Sequence, residues 1–196
     1  IYSFHFYLCG IFHCPVISPI HNTCIFGYLM YIAIRWIRLM VALASVALII
    51  YRISYPNIAI LGRIPGTETF RNVKKDPQLE EIKHLVIFFF DASLYYANAG
   101  YLKDKIYQNL VARPETTTLL IDGKSINEAD TTAVSMLFEI AEELKLQGID
   151  LYFADLKAVV RSMFERSGLY NSIGTDHFYI KKEEFIADFE AGNLQK

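Results

Sequence analysis

Apolar positions along this chain follow two different rules. Residues 23–34 and 39–51 form two almost unbroken apolar runs, parted only by Arg35-Trp36-Ile37-Arg38. From Ile58 onward the apolar residues come in short runs or at helical spacing, separated by polar punctuation. The stretch Thr116–Leu144 organises this second part. Leu119-Leu120-Ile121 is a consecutive apolar run, which predicts a strand covered on both faces. Ala133, Leu137, Ile140, Ala141 and Leu144 then fall on one side of a helix, with Glu139, Glu142 and Glu143 on the other. Between strand and helix lies the polar loop Asn127–Thr132. Asp130 is placed to cap the helix by accepting free N–H groups of its first turn. Thr131 and Thr132 then sit in that turn with their hydroxyls near solvent.

The same reading assigns the remaining elements. Ile58–Ile64 is a short strand, Pro65-Gly66 a turn, and Thr67–Val73 a return strand. Residues 76–83 are a charged connection. His84–Phe90 is a second buried strand. Asn98 caps a helix over 99–112, where Leu102, Ile106 and Leu110 recur four apart. Ile149–Ala154 alternates as a strand, Lys157–Ser167 is a helix closed by Gly168, His177–Ile180 is a last short strand, and Lys182–Phe189 a last helix. Strands alternating with helices give an α/β fold with right-handed crossovers.

The greasy third calls for a different environment. A membrane span needs about 20 apolar residues. Neither run suffices alone, but a helix from about Ala33 to Tyr51 does. Arg35 and Arg38 then reach the interface beside Trp36. The basic residues sit inside the greasy region and no small-residue cleavage site follows, so a signal peptide is not expected. Charge is distributed to match: no Asp or Glu precedes Glu68, and the overall net charge is -2. No basic patch has the density that nucleic-acid binding requires. All three cysteines, Cys9, Cys14 and Cys24, lie in the greasy third, which suits a reducing compartment for the rest. The chain begins with Ile1 rather than Met, which predicts a piece of a longer protein.

Candidate chemistry is sparse. His5, Cys9 and His13 recur every four residues, with Cys14 or a residue elsewhere as the fourth ligand a metal site needs, but Pro15 and Pro19 crowd them and no zinc spacing is matched, so no metal is expected. Gly123-Lys124-Ser125 resembles the end of a phosphate-binding loop, yet Thr118 stands where that loop needs its first Gly. His84 and His177 are far apart, with His177 beside Asp176 as a loop pair. No nucleophile, base or cofactor motif converges, so the chain is not expected to be an enzyme and no cofactor is expected.

Three segments carry a family resemblance. A strand followed by Asp130-Thr131-Thr132 at a helix start resembles the signature of the STAS domain, shared by anti-sigma factor antagonists and SulP anion transporters. The run from Ile50 through Ile58–Thr67 to Val73 resembles the segment joining the last transmembrane helix of SulP transporters to their STAS domain. Asp91-Ala92-Ser93-Leu94-Tyr95-Tyr96-Ala97-Asn98-Ala99 is similar to a SulP run that antagonists generally lack. The resemblance implies a STAS fold, a mixed central β-sheet flanked by α-helices, preceded by a hydrophobic transmembrane helix.

It divides the chain into a membrane segment at 1–55, a junction with the first strands at 56–75, and the STAS core at 76–192. Residues 33–51 would be the last transmembrane helix, and 1–36 match nothing in the family. It implies the C-terminal part of a secondary carrier of sulfate or a related anion such as bicarbonate or chloride. The STAS domain would lie on the cytoplasmic side, with membrane lipid, the transporter membrane domain, a second copy in a homodimer, and a regulatory protein as partners. Thr132 matches the antagonists' phosphoacceptor, next to Thr131, and Asn127 and Asp130 belong to the interaction loop. The rival is a soluble phospho-switch working through the Asp130–Ala133 surface.

Overall fold

The computed structural model describes the backbone of residues 18–76 and 78–194, and side chains from Ile25 onward. The chain separates into two units, one ending at Ile50 and one beginning at Tyr51.

The helix α1, Ser18–Ser54, is 37 residues long and takes up the described part of the first unit, its last four residues belonging to the second. Pro19 falls in its first turn, where a missing N–H breaks no hydrogen bond. The helix runs beyond the expected Ala33–Tyr51 in both directions and stops at Ser54, just ahead of Pro56. Within its stretch Ile25–Ser54 an 18-residue window reaches a mean hydropathy of 2.0, and none of that window is buried. Leu39, Met40, Val41, Leu43, Val46, Leu48, Ile49 and Ile50 all stand exposed. By length and composition this helix is long and apolar enough to cross a membrane. Inside it, Arg35 donates to the Tyr31 hydroxyl at 3.1 Å, and Ser45 turns its hydroxyl back to the Val41 carbonyl at 2.9 Å. The candidate ligands His5, Cys9, His13 and Cys14 lie outside the described residues.

The second unit is a five-stranded mixed sheet with helices on both faces. In chain order its elements are β1 (Asn57–Arg63), β2 (Phe70–Asn72), β3 (Leu85–Asp91), α2 (Tyr96–Ala112), β4 (Thr118–Asp122), α3 (Thr131–Leu146), β5 (Asp150–Ala154), α4 (Ala158–Ser167), α5 (Leu169–Ile173) and α6 (Lys182–Ala191). The strand order is β2-β1-β3-β4-β5. β1 runs antiparallel to both its neighbours, while β3, β4 and β5 are parallel. The parallel pairs are bridged by α2 and α3, as a crossover requires.

Burial follows from this layering. Val86, Phe88 and Phe90 of β3, Leu119 and Ile121 of β4, and Leu151 and Phe153 of β5 face one core with Leu102, Ile106, Leu137, Ile140 and Phe164 from the helices. Leu85, Ile87, Leu120 and Tyr152 face the other side, under Phe185 and Ile186 of α6. β4 lies between the two layers, so all five of its residues are buried. That is why its apolar residues are consecutive rather than alternating. Each fully buried Leu, Ile or Phe side chain contributes roughly 1.5–3 kcal/mol of transfer free energy.

Three expected elements differ. The helix expected over 99–112 begins earlier, at Tyr96, and Asn98 is its third residue rather than its cap. The return strand shrinks from Thr67–Val73 to Phe70–Asn72, because the turn closes late. Ile64 N–H donates to the Thr69 carbonyl at 2.9 Å and uses up those residues. The last strand, expected at His177–Ile180, does not form. A 3₁₀ turn spans Thr175–His177, and only a single bridge joins Phe178 to Phe153. Aromatic packing takes the place of a ladder there: the Phe178 ring stacks on Phe153 and on Tyr170, at 5.2 and 3.8 Å between centroids. His177 is not a loop pair with Asp176. It stacks on Tyr152 at 4.3 Å, with Nδ1 2.8 Å from the Leu151 carbonyl.

Candidate functional site

The polar loops gather at the carboxyl ends of β3, β4 and β5, where a parallel sheet opens its crevice. At the start of α3, Asp130 has extended backbone and its Oδ1 accepts the Ala133 N–H at 2.6 Å, as an N-cap should. Its second oxygen is also used: Oδ2 accepts the Tyr96 N–H of α2 at 2.8 Å. One carboxylate therefore satisfies orphan amides of two helices. The approach is held by a bridge between Leu94 and Ala129. In it, Leu94 N–H donates to Glu128 at 2.8 Å and Asp130 N–H donates to Leu94 at 3.0 Å. Thr131 and Thr132 occupy the first turn of α3 and are both exposed. The Thr131 carbonyl accepts the Ser135 hydroxyl at 3.0 Å.

A second cluster lies where β4 and β5 end. Asp122 is fully buried, and Lys182 at the start of α6 donates to its Oδ2 at 2.8 Å. The other carboxylate oxygen accepts the Lys124 N–H at 3.0 Å. This pair seats α6 on the sheet end. Asp155 follows β5 with φ 56. Burial, and then the negative charge of Asp122, push its carboxyl above the usual aspartate range. Between β1 and these loops a groove of about 990 Å³ runs over the part of the sheet that α6 leaves uncovered. Leu61 and Phe89 are in its floor, and Arg71, Lys75, Lys124 and Lys157 stand along it.

The structure separates the four residues expected to form one loop site. Asp130, Thr131 and Thr132 cluster at the α3 start. Asn127 instead faces the groove and meets Lys157 through its side-chain oxygen. Gly123-Lys124-Ser125 forms no phosphate cradle: a Cβ at Gly123 would collide with the Leu156 side chain and lie 3.4 Å from the Ala154 carbonyl. Glycine is there for close packing. Among the described residues no three His, Cys, Asp or Glu side chains converge as a metal site. Sequence reasoning missed the Asp122–Lys182 pair and Asp155. An acid closing the apolar run Leu119–Ile121 was the available signal for the first, because a charge next to a buried strand needs a partner.

With this geometry in place, the chain can be compared with known proteins. Residues 76–184 match the STAS domain family, and the chain belongs to it. The chain is 30% identical over 152 residues to probable sulfate transporter 4.2 of Arabidopsis thaliana, covering 72% of this chain and 22% of that protein. It is 27% identical over 163 residues to high affinity sulfate transporter 2 of Stylosanthes hamata, covering 78% and 25%. The fold matches the murine solute carrier 26 family member A9 anion transporter with a TM-score of 0.69 at 17% identity, covering 75% of this chain and 24% of that one. The chain spans about a quarter of the length of the curated relatives it matches.

Proposed function

We propose that this chain is the regulatory end of an integral membrane carrier for sulfate or a related small anion, such as bicarbonate or chloride. In this reading α1 crosses the bilayer and hands the chain to a STAS domain on the cytoplasmic side. The observation that carries it is the junction: an exposed apolar helix ends at Ser54, and β1 of the domain starts at Asn57. Arg52, Arg63, Arg71, Lys74 and Lys75 cluster after the apolar run, which supports a cytoplasmic domain. The relatives named sulfate transporters support the substrate class. We place the domain boundary in residues 51–57. The partners of the domain are the membrane part of the same carrier, surrounding lipid, a second copy, and a regulatory protein that reads the exposed Thr131–Thr132 turn, with Thr132 as its phosphoacceptor.

Fractionation tests the membrane step. The chain is expected in a membrane pellet that resists high salt and alkaline carbonate, and recovery in the soluble fraction would overturn it. The transport step is tested with the whole gene product in vesicles, where labelled sulfate, bicarbonate and chloride uptake are compared. No uptake of any of the three would refute the carrier reading.

A further inference from the structure

We propose that Asp130 and Asn98 form a hydrogen-bonded link that joins the start of α3 to the last turn of α1, by way of the first turn of α2. A change at the α3 start then alters the local stability of residues 51–55. Its regulatory meaning rests on the reading of the domain as the carrier's regulatory end.

The link begins where a helix leaves carbonyls without partners. The final four carbonyls of α1 have no acceptor role inside the helix. The Tyr51 carbonyl accepts the Tyr55 N–H at 3.0 Å. The Ile53 carbonyl accepts from Nδ2 of Asn98 at 3.2 Å. Asn98 is 1% exposed, and all its polar atoms are engaged. Nδ2 also donates to the Ser93 carbonyl at 2.9 Å, and Oδ1 accepts the Tyr95 N–H at 3.0 Å. Two carbonyls and one N–H around the amide allow only this orientation, since the flipped form would face oxygen to oxygen. Tyr95 is the N-cap of α2 and offers no side-chain cap of its own, so Asn98 supplies the acceptor.

The next residue, Tyr96, gives its N–H to Asp130 Oδ2, and the other oxygen of that carboxylate caps α3. The path from the Ala133 amide to the Ile53 carbonyl thus runs through two side chains and the adjacent backbone N–H groups of Tyr95 and Tyr96. Beside it, Tyr55 packs edge-on against Tyr101 of α2 at 5.3 Å. Tyr51, Ile53 and Tyr55 are exposed, and such helix ends open locally at low cost.

Amide hydrogen exchange on the full chain in detergent micelles tests the link. Asp130→Ser keeps one oxygen to cap α3 but has none left for Tyr96. Residues 51–55 are expected to exchange faster, by roughly threefold or more, while β4 stays at the wild-type rate. Asn98→Asp keeps the acceptor for Tyr95 and loses both donors. Because coupling is reciprocal, it should speed exchange in the first turn of α3 as well as at 51–55. If Asp130→Ser deprotects Tyr96 but leaves 51–55 unchanged, or Asn98→Asp leaves the α3 start unchanged, the link is refuted. Each variant decides alone if the other does not fold. The rates are read whether or not the chain enters membranes, so failure of the link is separable from failure of the carrier reading.

Discussion

Asp155 closes β5 in the left-handed backbone region, with φ 56, where a non-glycine residue is uncommon and Asn or Asp is best tolerated. Its carboxyl is pushed above the ordinary aspartate range, first by burial and then by Asp122. A raised folded pKa means the folded state holds the proton more tightly than the unfolded chain does. Stability therefore falls as pH rises from the ordinary aspartate range through the raised value, and the penalty is constant above it. Asn keeps the backbone conformation and carries no charge, and its side-chain oxygen can still accept the Lys182 N–H, now at 3.4 Å. Asp155→Asn is expected to raise the melting temperature at neutral pH. The gain should close as pH drops below the ordinary aspartate range. A neutral-pH melting temperature equal to or below wild type would contradict this account of the site.

At the scale of elements, β4 is the centre of the domain. It pairs in parallel with β3 on one side and β5 on the other, and both of its faces are covered. Leu120 is fully buried against Leu85, Ile87 and Phe185. An unpaired carboxylate there has no partner, so Leu120→Asp is expected to yield no folded domain. Leu120→Ala only leaves a cavity and should lower stability by roughly 2–5 kcal/mol in denaturant titration. A folded Leu120→Asp protein with native circular dichroism would show that the strand is not central. The run Leu119–Ile121 made this strand legible in the sequence, because burial on both faces removes the polar alternation. The helix α3 was legible from its apolar period, and the end of α4 from Gly168, which takes φ 82. The edge elements were not. β2 and the Phe178 bridge depend on how turns close and aromatic rings stack, and neither leaves a periodic trace.

At the scale of the whole molecule, the residues that form the two apolar cores run from Ile58 onward among the described residues. A chain starting at Tyr51 is therefore expected to fold, and to melt in one cooperative transition seen alike by far- and near-ultraviolet circular dichroism. A chain starting at Tyr51 that gives no folded circular-dichroism signal would mean that the domain depends on the residues before it. The sequence by itself determined the greasy helix, the α/β alternation, the buried central strand and the Asp130 cap. Each of these is written in residues close together along the chain, where hydropathy period and capping chemistry act. Only the tertiary structure decided that Asp130 serves two helices, that Asn98 reaches the end of α1, and that Asp122 is buried against Lys182. Those bonds join residues 34, 45 and 60 positions apart. Which distant donor meets a buried acceptor is set by how layers pack, and local pattern carries no record of it.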